Sequence, residues 1–140
     1  MSFREKTAWV TLCAILLVSL LYVVHVPRLY QPHPGLYVLH SIGQCLAAFI
    51  LIELVAYMVL RVRYPRDART PKDEREQLID LKALRIAAYV YFAGSFIAIF
   101  VTIHLAYGGS GAVAVSVLMA FVVAEIVNYA ARISYYRLGS

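Results

Sequence analysis

The sequence predicts an all-α fold, a four-helix transmembrane bundle, and three observations carry that reading. Of 140 residues, 62% are hydrophobic and only 15% are charged, whereas soluble domains average about 45–50% apolar and about 25% charged. Four apolar segments each approach or exceed the roughly 20 residues needed to cross a hydrocarbon core of about 30 Å. Between the second and third lies the one long polar run, Arg61 to Arg85 (RVRYPRDARTPKDEREQLIDLKALR), which holds eight of the thirteen Lys/Arg and five of the eight acids.

The elements follow in order. After MSFREK the first apolar run is longer than a signal-peptide core and no small-x-small cleavage site follows, so a retained helix is expected over 7–26. Pro27, Pro32, Pro34 and Gly35 break the chain, and the second helix is expected over 36–60. A charged loop covers 61–85. Within it Thr70 reads as an N-cap, Pro71 as the first helical position, and the acids that follow suit the positive end of the helix dipole. The third helix is therefore extended, over 71–107, with its membrane part at 86–107 and its first turns projecting at about 5.4 Å each. The GGSG turn, Gly108 to Gly111, precedes a fourth helix over 112–131. Residues 1–140 thus form a single transmembrane domain, two helical hairpins joined by the charged loop.

Positive charge sets the direction. Arg4 and Lys6 precede the first helix, eight cations lie in the loop, Arg132 and Arg137 follow the fourth helix, and only Arg28 falls on the other side. Cations mark the cytoplasmic side, so both termini and the loop are expected there. Trp9, Tyr64, Tyr135 and Tyr136 mark the inner boundary, and Tyr30, Tyr37 and Tyr107 the outer one. The net charge of +5 sits at the ends of apolar segments rather than on a soluble face, which argues against a nucleic-acid partner. Anionic lipid is the expected partner of the basic strip 61–69. Cys13 and Cys45 both fall inside apolar segments and read as packed, inert thiols.

Small residues recur every four positions in the fourth helix: Ala112, Ser116, Ala120 and Ala124, continued by Asn128. Such a ridge lets membrane helices approach closely. Gly94 with Ala98, and Gly43 with Ala47, are shorter versions. A thin bundle with much outward surface is expected to form a homo-oligomer or join a larger membrane complex.

Two carboxylates lie inside the apolar segments, Glu53 and Glu125, in matching contexts: ELVAY with Tyr57 and EIVNY with Tyr129. With VHV (His25) matched by IHL (His104), these hint at a duplicated hairpin. Intramembrane carboxylates are costly and serve function or are paired. One reading makes Glu53 and Glu125, with Tyr57, Tyr129 and Asn128, a cation or proton site. The other pairs each with a base, Arg132 for Glu125 and Lys82 or Arg85 for Glu53. The histidines His25, His33, His40 and His104 gather at the outer end. Imidazole ligates haem iron or a transition metal, and His25, His40 and His104 are the candidates, but no ligand spacing supports them, so no cofactor is expected. Gln44 shares a face with His40. No catalytic array is present, and an enzyme is not expected.

In the charged loop Asp73, Glu74, Arg75 and Glu76 form a candidate partner surface. Lys72–Glu76 is the only ion pair at helical spacing, so the acids are expected to seek Arg61, Arg63, Arg66 and Arg69 or a second subunit. Leu78, Ile79, Leu81 and Leu84 make a broad apolar sector beside them.

The seventeen residues from Asp73 to Tyr89, DEREQLIDLKALRIAAY, resemble a segment of a family of small bacterial inner-membrane proteins, in which D-E-R-E/D-x-x-I-x-x-K/R-A leads into a membrane helix. That family has no settled activity, and its members are often encoded beside helix-turn-helix regulators. The resemblance implies a bacterial inner membrane and a regulatory or accessory role, and it transfers no catalytic residue. The expected function is a non-enzymatic accessory, sensor or regulatory membrane protein acting through the charged loop. The alternative is a small cation- or proton-coupled transporter or channel using the carboxylates, and the third is haem or metal binding by the outer histidines.

Overall fold

A computed structural model describes residues 3–25, 34–65, 71–104 and 110–138. They form four helices, α1 (Phe3–His25), α2 (Pro34–Arg63), α3 (Glu74–His104) and α4 (Ser110–Leu138), with no strand among the described residues. All four contain a span long and apolar enough to cross a membrane. Thr70, Arg66, Arg69, His33 and the GG of the GGSG turn lie outside the described residues, as do the side chains of His25 and Ala112.

The helices run further into their polar flanks than the hydropathy pattern suggests. α1 starts at Phe3 rather than at 7, α2 continues to Arg63 rather than 60, and α4 continues to Leu138 rather than 131. Arg, Lys, Glu and Leu are good helix formers, so polarity alone does not end a helix. The third helix departs the other way, starting at Glu74 and not at Pro71. Asp73, not Thr70, is its N-cap: the Glu74 amide donates to Asp73 Oδ1 at 2.8 Å and the Asp73 amide to Glu76 Oε2 at 3.4 Å. The Asp73 carbonyl accepts the first helical bond, from the Gln77 amide at 3.0 Å, and Glu76 supplies the carboxylate-to-N-cap-amide half of a capping box. Among the described residues, helix therefore covers 61–63 and 74–85 of the stretch.

Each hairpin packs within itself, α1 on α2 and α3 on α4, and the hairpins join through α1 against α4. α4 is the hub, with α1, α2 and α3 all against it; α3 shares the most surface with it and α2 the least. A duplicated hairpin related by a two-fold axis would pack α3 on α2 as it packs α1 on α4. The described residues make no comparable α2–α3 contact, so the short sequence matches are not accompanied by a symmetric repeat.

Small side chains set the α3–α4 approach. Ala120 and Ala124 are buried on α4, and Ile79, Ala83 and Ala87, spaced by four, are buried on α3. A Cβ placed on Gly94 would stand 3.3 Å from the Ala120 Cβ, and the Thr102 and Ser116 hydroxyls meet at 2.9 Å. The ridge of α4 therefore faces α3 of its own chain. Gly43 is different, with nothing within 4 Å of the site its Cβ would occupy. Of the sector expected on α3, only Ile79 is buried, and Leu78, Leu81 and Leu84 are exposed. Cys13 is exposed too, contrary to a packed thiol, and Cys45 is partly covered; both are free.

The molecule is apolar outside and partly polar inside. Leu20, Leu51, Phe92, Phe96 and Phe100 point outward, while Glu5, Thr11 and Asn128 are buried. That inversion suits a chain whose solvent is hydrocarbon, where association rests on close backbone approach and interhelical hydrogen bonds.

Candidate functional site at the charged end

The polar chemistry of the described residues concentrates where the start of α1, the end of α2, the start of α3 and the end of α4 converge. Because these ends are helical, their charges hold fixed faces and meet across helices. Arg4 Nε of α1 reaches Glu76 Oε2 of α3 at 2.9 Å, and the same oxygen caps the start of α3. Asp80 of α3 holds Lys72 Nζ at 2.5 Å and Arg132 Nη1 of α4 at 3.5 Å. Arg137 Nε of α4 lies 3.6 Å from Glu5 Oε1 of α1. The acids Glu76 and Asp80 are thus paired inside the chain, with Arg4, Lys72 and Arg132. They do not pair with Arg61 or Arg63 of the loop's other half, and Lys72 pairs with Asp80 instead of Glu76. Asp73, Glu74 and Arg75 are exposed.

The interfacial aromatics act here as platforms for cations. Lys6 stands 3.6 Å over the Tyr64 ring, Arg132 5.1 Å over Tyr129, Arg137 5.3 Å over Trp9, and Lys82 5.7 Å over Tyr135. Such contacts contribute about 0.5–2 kcal/mol each, more as water is excluded.

Two cavities flank α1 at this end. The larger, about 340 Å³, lies against α2 and is lined by Arg4, Thr7, Thr11, Glu53, Tyr57 and Lys72 with apolar neighbours. The smaller, about 190 Å³, lies toward α3 and α4 and is lined by Arg4, Thr7, Thr11, Lys72, Asp80, Tyr129, Arg132 and Tyr136. Arg4, Thr7 and Thr11 border both. They recur at intervals of three and four and so share one face of α1. This polar stripe was missed in the sequence, where α1 reads as a plain apolar span; the T-x-x-x-T spacing after Arg4 was the available signal.

The two carboxylates, alike in the sequence, differ in space. Glu125 Oε2 accepts from Asn128 Nδ2 at 3.3 Å, and Asn128 Oδ1 accepts from Arg132 Nε at 3.3 Å. Buried Asn128 therefore bridges Arg132 and Glu125 by hydrogen bonds, an indirect form of the expected pairing. Glu53 has no base. Lys82 lies over Tyr135 and Arg85 is exposed. Instead the Thr11 hydroxyl of α1 donates to Glu53 Oε2 at 3.1 Å, and Glu53 Oε1 is buried with no hydrogen-bond partner. Tyr129 lies within electrostatic reach of both carboxylates, and Tyr57 borders the larger cavity beside Glu53.

At the opposite end Gln44 Nε2 and His40 Nε2 are 3.1 Å apart, the contact expected of a shared face. His104 stacks on Phe100 with centroids 3.9 Å apart and its Nδ1–H donates to the Phe100 carbonyl at 3.0 Å. No group of three His, Cys, Asp or Glu among the described residues could hold a metal ion.

These features define the class, a helical chain whose four helices are each long and apolar enough to cross a membrane, with an ordered polar end. No protein-family model, curated protein or solved structure matches the chain.

Proposed function

We propose that the chain is a non-enzymatic membrane protein of accessory, sensory or regulatory type, with both termini and the charged end in the cytoplasm. Its working surface in this reading is the exposed start of α3. The supporting observation is a contrast within one segment. Glu76 and Asp80 are held by Arg4, Lys72 and Arg132, whereas Asp73, Glu74 and Arg75 stand exposed on the same rigid helix start. The internal pairs orient the helix and leave its outer acids and Arg75 for a partner or a second copy. The orientation follows from the distribution of cations, and the anionic lipid surface favours the basic strip 61–69. Transport of a cation or proton is the second reading, supported by the baseless carboxylate Glu53 beside a cavity.

Crosslinking in native membranes tests the first reading. Glu74→Lys with Arg75→Glu is expected to abolish crosslinks formed from the start of α3, while the protein stays folded because both side chains are exposed and neither joins an interhelical ion pair or caps the helix. Retention of the same crosslinks in the double variant defeats the proposal.

A further inference from the structure

We propose that Glu53 is a proton-binding site, loaded through the cavity between α1 and α2 from the charged end. The inference starts from one unmet atom. A buried carboxylate oxygen without a donor carries a desolvation cost that the native state must offset, and in an apolar span that cost is larger. Glu53 Oε2 has the Thr11 hydroxyl at 3.1 Å, and Oε1 is buried and has none. A proton from water that forms an O–H bond at Oε1 removes the negative charge and breaks no bond of the protein. Oε2 then remains as the acceptor for Thr11, so both protonation states share one geometry.

The surroundings favour a proton over a metal ion. Facing the cavity are Arg4, Thr7 and Thr11 from α1, Tyr57 from α2, and Lys72 from the segment before α3. From α4, Tyr129 lies within reach of Glu53 and also of Glu125. A hard metal cation needs about six oxygen ligands. Here two cationic side chains, Arg4 and Lys72, border the space and repel a metal cation. A proton needs a single lone pair. Glu125 does not compete for this role, since Asn128 donates to it and bridges it to Arg132.

The site also touches the proposed working surface. Thr11, which holds Glu53, lies two helical turns along α1 from Arg4, and Arg4 holds Glu76 at the start of α3. Loading of Glu53 therefore changes the charge seen by the helix that positions the partner face. This deepens the sensory reading and rests on it only for the use made of the proton.

Infrared difference spectra of the full chain in lipid nanodiscs, recorded over pH steps, test the site without reference to any partner. The expected result is that the carboxylic-acid C=O absorption developing on acidification contains one component that is lost in Glu53→Gln and kept in Glu125→Gln. Thr11→Val removes the hydrogen bond to Oε2 and should move the band to higher wavenumber, and Thr11→Ser should return it. A spectrum unchanged in Glu53→Gln, or a Glu53 component unmoved by Thr11→Val, overturns the proposal. Crosslinking from the start of α3 in the same samples is a separate signal. A Glu53 band without any captured partner retains the proton site and removes the sensory use of it.

Discussion

Adding one methyl group at each of two glycines tests how α3 and α4 are held together. Gly94 and Gly43 both lie inside long helices, so Gly→Ala gains about 0.5–1 kcal/mol of helix stability at either site. That gain cancels when the two variants are compared. At Gly94 the new Cβ would stand 3.3 Å from the Ala120 Cβ and 3.9 Å from its Cα, inside the about 3.5–4.0 Å optimum for carbon pairs. The obstructing atom is a methyl fixed to a helix backbone and cannot swing away, so α3 and α4 must part by a few tenths of an ångström. Overpacking of this kind costs about 1–3 kcal/mol. At Gly43 the methyl meets nothing within 4 Å. Gly43→Ala should therefore exceed Gly94→Ala in stability by about 1–3 kcal/mol, measured by reversible detergent unfolding followed by helicity. Combining Gly94→Ala with Ala120→Gly should recover at least about 0.5 kcal/mol beyond additivity, as touching residues couple. Equal effects at the two glycines, or strict additivity with Ala120→Gly, would refute the close approach.

Two further substitutions examine the charged end. Asp80→Asn removes the carboxylate that Lys72 and Arg132 share, with an expected loss of about 0.5–2 kcal/mol in detergent unfolding at low salt. Near 1 M salt, where the screening length is about 3 Å, the loss should shrink, and a salt-independent loss would point to a packing role instead. Asp73→Ala removes the N-cap of α3 and should cost about 1 kcal/mol. Amide exchange should accelerate at Glu74 to Gln77 and hold steady from Ile79 onward; uniform protection throughout would contradict the cap at Asp73.

Much of the architecture was legible because it depends on what each residue costs by itself. An ionised side chain in hydrocarbon is expensive whatever its neighbours, so the charges of this chain collect at the ends of apolar runs and mark four spans. Small residues every four positions told of a close helix contact on α4, since helical spacing is a local property. Gln44 and His40 are neighbours for the same reason. Helix limits were less legible. Arg and Lys look like loop residues beside apolar runs but extend a helix readily, and the cap falls at Asp73, whose amide Glu76 meets from within the first turn.

By itself, then, the sequence determined the helical class, the number of helices long and apolar enough to cross a membrane, and the segregation of charge. Tertiary structure alone decided which helices meet, with α4 as hub, and which acids find partners. It also separated two carboxylates with near-identical local sequence. Glu125 is served by Asn128 and Arg132 of its own helix, whereas Glu53 depends on Thr11, 42 residues away in the chain. Helical periodicity reveals which residues share a face but not which faces touch, and the difference between these two sites lies in that contact.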